Sequence, residues 1–144
     1  MPERISHLVY LDAFVPEDGE SLMDLLSPAE AARFQARADL EGDGWRVPPA
    51  FQRSPAMPGP DRRLPHPLAS FRQPVTLGSS SLASLPRSYI FCNNPVLGAF
   101  DRFAERARTT TGWRYVEMAT GHNPQYTTPH ELTDILLMIV SEMD

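Results

Sequence analysis

The stretch WRYVEMATGHNPQYTTPHEL, Trp113 to Leu132, decides how this chain is read. Trp113–Met118 has the aromatic and β-branched character of a short strand. Gly121 and His122 follow in a loop. Thr128, Pro129 and Glu131 then have the spacing of a capping box, with proline at the first helical position. The pattern is strand, loop, helix, with a histidine in the loop. In open α/β sheets ligands bind outside the carboxyl ends of the strands, where this loop falls. A neutral imidazole there can take a proton from a nucleophile, provided a carboxylate fixes its tautomer. The plain alternative is a loop histidine bonded to backbone.

The same alternation extends upstream. HLVYLDAF, His7 to Phe14, reads as a strand buried on both faces and broken by VPEDG. RSYIFCNN, Arg87 to Asn94, reads as a second buried strand. Ser27, Pro28 and Glu30 form a capping box for a helix to about Leu40, ended by EGDG. A shorter helix is expected at about Glu20 to Leu26. Another, about Gly98 to Arg108, puts Phe100, Phe103, Ala104 and Ala107 on one face. The last helix has an apolar stripe of Leu132, Ile135, Leu136, Ile139 and Met143. Strands alternating with helices predict an α/β fold, a parallel sheet with right-handed crossovers.

Between Trp45 and Pro86 the pattern lapses. The chain has fifteen prolines, about twice the usual share, and they concentrate here. A linker would be solvated, but Phe51, Met57, Leu64, Leu68, Phe71, Val75 and Leu77 are too many apolar groups for that. An excursion folded over a site fits better. With 144 residues the chain is long enough for one domain, burying about 68% of its extended surface.

Net charge is −5 and all thirteen basic residues are arginine, never more than two in a row, so no nucleic-acid patch is present. No apolar run nears the roughly 20 residues of a membrane span. MPERISHLVYLDAF lacks the charged region and cleavage site of a signal peptide. The single cysteine, Cys92, has no internal disulfide partner. A cytoplasmic location is the expectation. His7, His66 and His130 lack metal-ligand spacing with each other or with Cys92, and no glycine-rich phosphate loop is present. No metal or cofactor is expected.

Asp12 is the one acid inside a strand-like apolar run. Burying a carboxylate costs several kcal/mol unless it is paired. It reads either as the acid that orients His122 or as a cap on nearby backbone N–H groups. Asp101 lies on the polar face of its helix and reads as solvated. Asn93 and Asn94 end the second strand, where an orienting carboxylate would fit, but amides cannot stabilise an imidazolium. The nucleophile is the gap: no G-x-S-x-G elbow occurs. GSSSLAS lacks the flanking strand and helix, and Cys92 reads as a buried structural thiol.

Taken together, HLVYLDAFVPEDGESLMDLL, EGDGWRVPP, HPLASFRQPV, RSYIFCNNP…FDRFAERAR and GWRYVEMATGHNPQYTTPHELTDILL resemble the C-terminal part of α/β-hydrolase-fold enzymes. The branch is that of plant methylesterases, hydroxynitrile lyases and bacterial esterase-like relatives, and EGDGWRVPP looks like the bacterial members. The resemblance covers essentially the whole chain. It implies that the three strands are the last three of an eight-stranded sheet. Residues 5–16 and 87–144 would then be core, and 17–86 the cap. It matches His122 to the catalytic histidine. The family commonly places its acid after the next-to-last strand, where this chain has Asn93-Asn94-Pro95; Asp12 is a geometrically reasonable replacement. The lyases carry lysine just after the histidine. Here stands Asn123, and the chain has no lysine, which favours ester hydrolysis. The family's nucleophile elbow and oxyanion loop lie N-terminal to the matched region, so the chain reads as a truncated hydrolase, inactive alone. Its substrate in the complete enzyme would be a small ester, its hydrophobic acyl or alcohol group suggested by cap residues such as Trp45. The exposed sheet edge would favour self-association, a complementing N-terminal fragment, or a non-catalytic binding role.

Overall fold

In a computed structural model, residues 4–49, 55, 57–78 and 85–141 are described. Phe51, Met143 and residues 79–84 of the serine-rich stretch lie outside them. The chain forms two compact units, one from Met1–Val15 and Ser79–Asp144, the other from Pro16–Gly78.

The first unit is built on three parallel strands: β1 (Leu8–Leu11), β4 (Arg87–Cys92) and β5 (Trp113–Met118), in the order β1-β4-β5. β4 is central, so its Ser88, Tyr89, Ile90 and Cys92 are the most fully buried of the strand residues with Met118 of β5. Side chains alternate across a strand. Ile90 and Met118 therefore face one way, toward Leu132 and Ile139 of α6 (Pro129–Ser141), with Leu11 and Ile135 packed against them. Phe91, Tyr115 and Glu117 face the other way, toward α4 (Asp101–Thr109), together lining a shallow depression of about 290 Å³. Phe100, Phe103, Ala104 and Ala107 are all buried, the face expected from their spacing. A short helix, α5 (Pro124–Thr127), precedes α6.

The second unit carries α1 (Leu22–Leu25), α2 (Pro28–Glu41), the antiparallel pair β2 (Arg46–Val47) and β3 (His66–Pro67), and α3 (Leu68–Arg72). Its core is Ala38, Val47 and Leu68, with Phe34 and Phe71 packed on them. The Ser27–Glu30 capping box forms in both directions. Gly42 ends α2 because a Cβ there would lie 1.6 Å from the Arg46 carbonyl oxygen. Trp45, Leu64, Val75 and Leu77 are exposed, so the apolar count of this region overstates its core.

Several expectations are corrected. β1 is shorter than His7–Phe14, because Asp12 turns the backbone to φ 42°, and Val9 is 38% exposed at a sheet edge rather than buried on both faces. α4 starts at Asp101, since Gly98 adopts φ 76° and the preceding residues form turns. The second capping box does not form. Thr128 closes α5 with its N–H on the Pro124 carbonyl, and its buried hydroxyl has no partner among the described residues. Leu136 faces outward with Leu137 and Val140, giving α6 an exposed apolar side. Among the described residues, no helix is long and apolar enough to cross a membrane.

Ile90→Ala removes a fully buried side chain at the middle of the central strand, and is expected to cost about 2–5 kcal/mol in denaturant unfolding. Val9→Ala, on the open edge, is expected to cost less than half as much.

Candidate active site

Parallel, in-register strands deliver their C-terminal ends to one edge of the sheet. Leu11 pairs with Ile90, and Cys92 with Met118, so the segments after Leu11, Cys92 and Met118 meet there. Asp12 and His122, 110 positions apart in sequence, come into contact: His122 Nδ1 lies 2.8 Å from Asp12 Oδ2. A carboxylate only accepts, so the imidazole donates from Nδ1. The other carboxylate oxygen accepts the Cys92 backbone N–H at 3.3 Å. Asp12 is 2% exposed, whereas the His122 side chain is 39% exposed. The acid is sealed in, and the imidazole reaches out from it.

The segment carrying Asp12 is held residue by residue. Asp12 N–H donates to the Ile90 carbonyl at 2.7 Å, continuing the ladder one step beyond β1. Asp12 sits in the left-handed region, which Asp enters more readily than most residues. The Tyr89 hydroxyl takes both backbone groups of Ala13: it donates to the carbonyl at 2.8 Å and accepts from the N–H at 3.1 Å. Phe14 packs edge-on against Phe100 and Phe103. Arg106 donates to the Val15 carbonyl at 2.6 Å.

The loop carrying His122 is fixed from two sides. The Asn94 N–H donates to the Thr120 carbonyl at 3.0 Å, just before a cis Asn94–Pro95 bond. The hydroxyls of Thr120 and Thr127 share a hydrogen bond at 2.9 Å. The His122 ring stacks on Phe100, with centroids 4.9 Å apart and planes 11° from parallel. With one edge on Asp12 and one face on Phe100, the imidazole has a set orientation. Its Nε2 has no hydrogen-bond partner among the described residues. Such a pair can accept a proton at Nε2 while the carboxylate stabilises the resulting cation.

The other candidates separate from this point. Asn93 gives its amide to Glu117 at 3.0 Å, and Asp101 is exposed on α4. His130 is exposed. Two serine–histidine contacts exist elsewhere, Ser88 with His7 at 2.8 Å and Ser70 with His66 at 2.6 Å. Among the described residues neither imidazole has a carboxylate partner, and Ser88 is fully buried. No group of three metal-ligating side chains occurs among the described residues. Phe100 and Tyr89 had no distinguishing signal in the sequence, because each reads as an ordinary core aromatic.

No family model matches the chain. It is 34% identical, over 146 aligned residues, to a carbendazim-hydrolyzing esterase of Nocardioides sp. (strain SG-4G), covering 92% of this chain and 60% of that protein. An extracellular α/β-hydrolase of a Paenibacillus species superposes with a TM-score of 0.70 at 20% identity, over 95% of this chain and 62% of its own. That hydrolase shares structural and functional homology with tobacco salicylic acid binding protein 2. The pyrethroid hydrolase PytH superposes at 0.68 with 22% identity, over 97% and 62%. The parallel sheet with flanking helices is thus an α/β-hydrolase fold. The chain spans about three fifths of the length of each of these proteins.

Burial, reinforced by the nearby Asp12 charge, pushes the Cys92 thiol from its ordinary 9.0 up to about 12. The thiol is therefore unreactive in the folded chain, and Ellman's reagent at about pH 8 is expected to modify it only after denaturation. Above pH 9.0 the unfolded thiol loses its proton while the folded one keeps it. Stability is then expected to fall as pH rises from 9.0 toward about 12, by at most about 1.4 kcal/mol per unit from this group. Urea titrations across that range check it, with Cys92→Ala showing the shallower fall.

Proposed function

We propose, from the α/β-hydrolase fold as premise, that this chain supplies the base and the acid of a serine carboxylesterase, with His122 as the base and Asp12 as the orienting acid. The observation that carries the reading is the 2.8 Å contact between the His122 Nδ1 and a carboxylate buried at the same sheet edge. In this reading a serine hydroxyl approaches Nε2. Its proton passes to the imidazole as its oxygen attacks the ester carbonyl. The imidazolium then returns the proton to the departing alkoxide, and water repeats the cycle on the acyl-enzyme. The order acid then histidine along the chain is that of α/β-hydrolases, in which the serine comes first.

The chain contains no G-x-S-x-G stretch, so the serine and the oxyanion hole come, in this reading, from residues outside these 144. The chain by itself is then a hydrolase portion without turnover. Ester hydrolysis rather than cyanohydrin cleavage is supported by Asn123 after the histidine and by the absence of lysine. The likeness to a carbendazim-hydrolyzing esterase supports a small ester as the substrate. The branch of plant methylesterases and their bacterial relatives is supported by the likeness to the Paenibacillus protein.

A second reading draws on exposed apolar surface. Leu136, Leu137, Met138 and Val140 on α6 and Val9 on the β1 edge are all open. A non-catalytic module would use that surface to bind a second copy or another protein.

The 144-residue chain alone is expected to hydrolyse p-nitrophenyl acetate no faster than free imidazole at equal concentration. Joined to the part of the Nocardioides esterase that it does not match, it is expected to gain turnover. His122→Ala in that fusion should cut kcat about 10⁴–10⁶-fold and Asp12→Asn about 10⁴-fold. Enzyme-like, His122-dependent turnover by the chain alone would overturn the divided site. A stable dimer, inert in both forms, would favour the binding module.

A further inference from the structure

We infer that Tyr89 is a positioning residue: its buried hydroxyl pins the backbone just past Asp12 and thereby keeps the Asp12 carboxylate on His122. The inference rests on the reading of Asp12 and His122 as the acid–base pair, and goes beyond it by naming what holds the acid in place.

Asp12 leaves β1 with φ 42°, a conformation that costs L residues about 1 kcal/mol or more and persists only when its surroundings enforce it. Beyond Asp12 the strand ladder stops, and the polar groups of Ala13 have no ladder partner. One side chain satisfies both. Tyr89 is fully buried in the central strand, and its hydroxyl donates to the Ala13 carbonyl at 2.8 Å and accepts the Ala13 N–H at 3.1 Å. A hydroxyl has one proton and two lone pairs, so it can do both at once. No aliphatic side chain of that size could do either.

The position of the phenol matters as much as its valence. Tyr89 pairs with Tyr10 across the β1–β4 ladder, two residues before Asp12. The length of the ring carries the hydroxyl forward along the sheet to Ala13. Three residues of β4 thus act on two of the exit segment: Tyr89 on Ala13, the Ile90 carbonyl on Asp12 N–H, and Cys92 N–H on the carboxylate. The Ile90 and Cys92 contributions are backbone groups and do not depend on the side chains of those two residues. On the β4 side, the Tyr89 bond is the one that a side chain sets. Releasing Ala13 would let the Asp12 backbone relax out of its left-handed conformation and carry the carboxylate with it.

The tautomer of His122 reads this directly and needs no nucleophile. In the isotope-labelled 144-residue chain, with His122 assigned by its loss in His122→Ala, the imidazole is expected to be predominantly Nδ1–H. Asp12→Asn should abolish that preference. Tyr89→Phe, which keeps the ring and deletes only the oxygen, should raise the ratio of Nε2–H to Nδ1–H about fivefold, the factor matching the net worth of an ordinary hydrogen bond. Ile139→Ala destabilises the same unit without touching the pair, and should leave the tautomer as in the parent. A folded Tyr89→Phe chain with the parent tautomer, beside an Asp12→Asn chain that has lost it, would overturn the inference while leaving the pair intact. An unaffected Asp12→Asn chain would strike at the pair itself. If Tyr89→Phe is marginally stable, the spectra are taken in sodium sulfate, which favours compact states. A variant still unfolded there would show the phenol to be a general requirement for folding and overturn its specific role.

Discussion

A carboxylate withdrawn from water must find donors for its lone pairs, and Asp12 has almost no solvent to fall back on. It finds two, the Cys92 N–H and the His122 ring. Neither is near it in sequence. The arrangement around Asp12 therefore depends on the parallel sheet being formed in register. A one-residue slip of β1 against β4 would point the carboxylate to the other face of the sheet and leave a buried charge unmet. In the proposed reading the sealed acid holds Nδ1, and the partly exposed imidazole offers Nε2 to the nucleophile.

Around that pair the aromatic residues act as a frame. Phe100 lies parallel to the imidazole, and Phe14, two residues past Asp12, packs on the edge of Phe100. Edge-to-face and offset contacts of this kind add about 0.5–1.5 kcal/mol beyond simple burial. They also link the two exit segments through one side chain, Phe100. Phe100 is placed by the turn that begins at Gly98, whose φ of 76° is open to glycine without strain. A helix starting at Gly98 itself, as the apolar spacing alone suggests, would have wound Phe100 into its first turn.

What was legible in the sequence was whatever depends on local chemistry or on residue type at a strand end. Asp12 stands out because an acid in an apolar run must have a reason. His122 stands out because it follows a strand at the edge where sites form. The Ser27–Glu30 box is visible because its two residues, three apart in sequence, bond directly to each other. Thr128–Glu131 has the same letters and fails, because the preceding short helix consumes Thr128 as its own end. Tyr89 and Phe100 were illegible for a related reason. An aromatic residue in a buried element looks the same whether it fills space or holds a particular group, and only the distance of its polar atom or ring from a partner separates the two. The outward turn of Leu136 was illegible too, since a helix with apolar residues on more than one side does not announce which side meets the sheet.

The segment after β4 shows how two jobs that one loop could do are divided between two. The resemblance to α/β-hydrolases places an acid after the next-to-last strand, and here that position holds Asn93 and Asn94. The Asn93 amide is turned to Glu117, on the α4 face. What this segment contributes is backbone. The Asn94 N–H takes the Thr120 carbonyl, and the Asn93 N–H takes that of Met118, so the β4 exit holds the start of the histidine loop in place without touching the ring. The charge comes instead from β1, on the opposite side of β4. That works because β4 is central: its exit lies between the other two, close enough for Asp12 to reach past Cys92 to His122. An acid on β1 must cross the width of one strand to do so. The left-handed turn at Asp12 lets the chain leave the strand at once, with its carboxylate directed back across the end of the sheet.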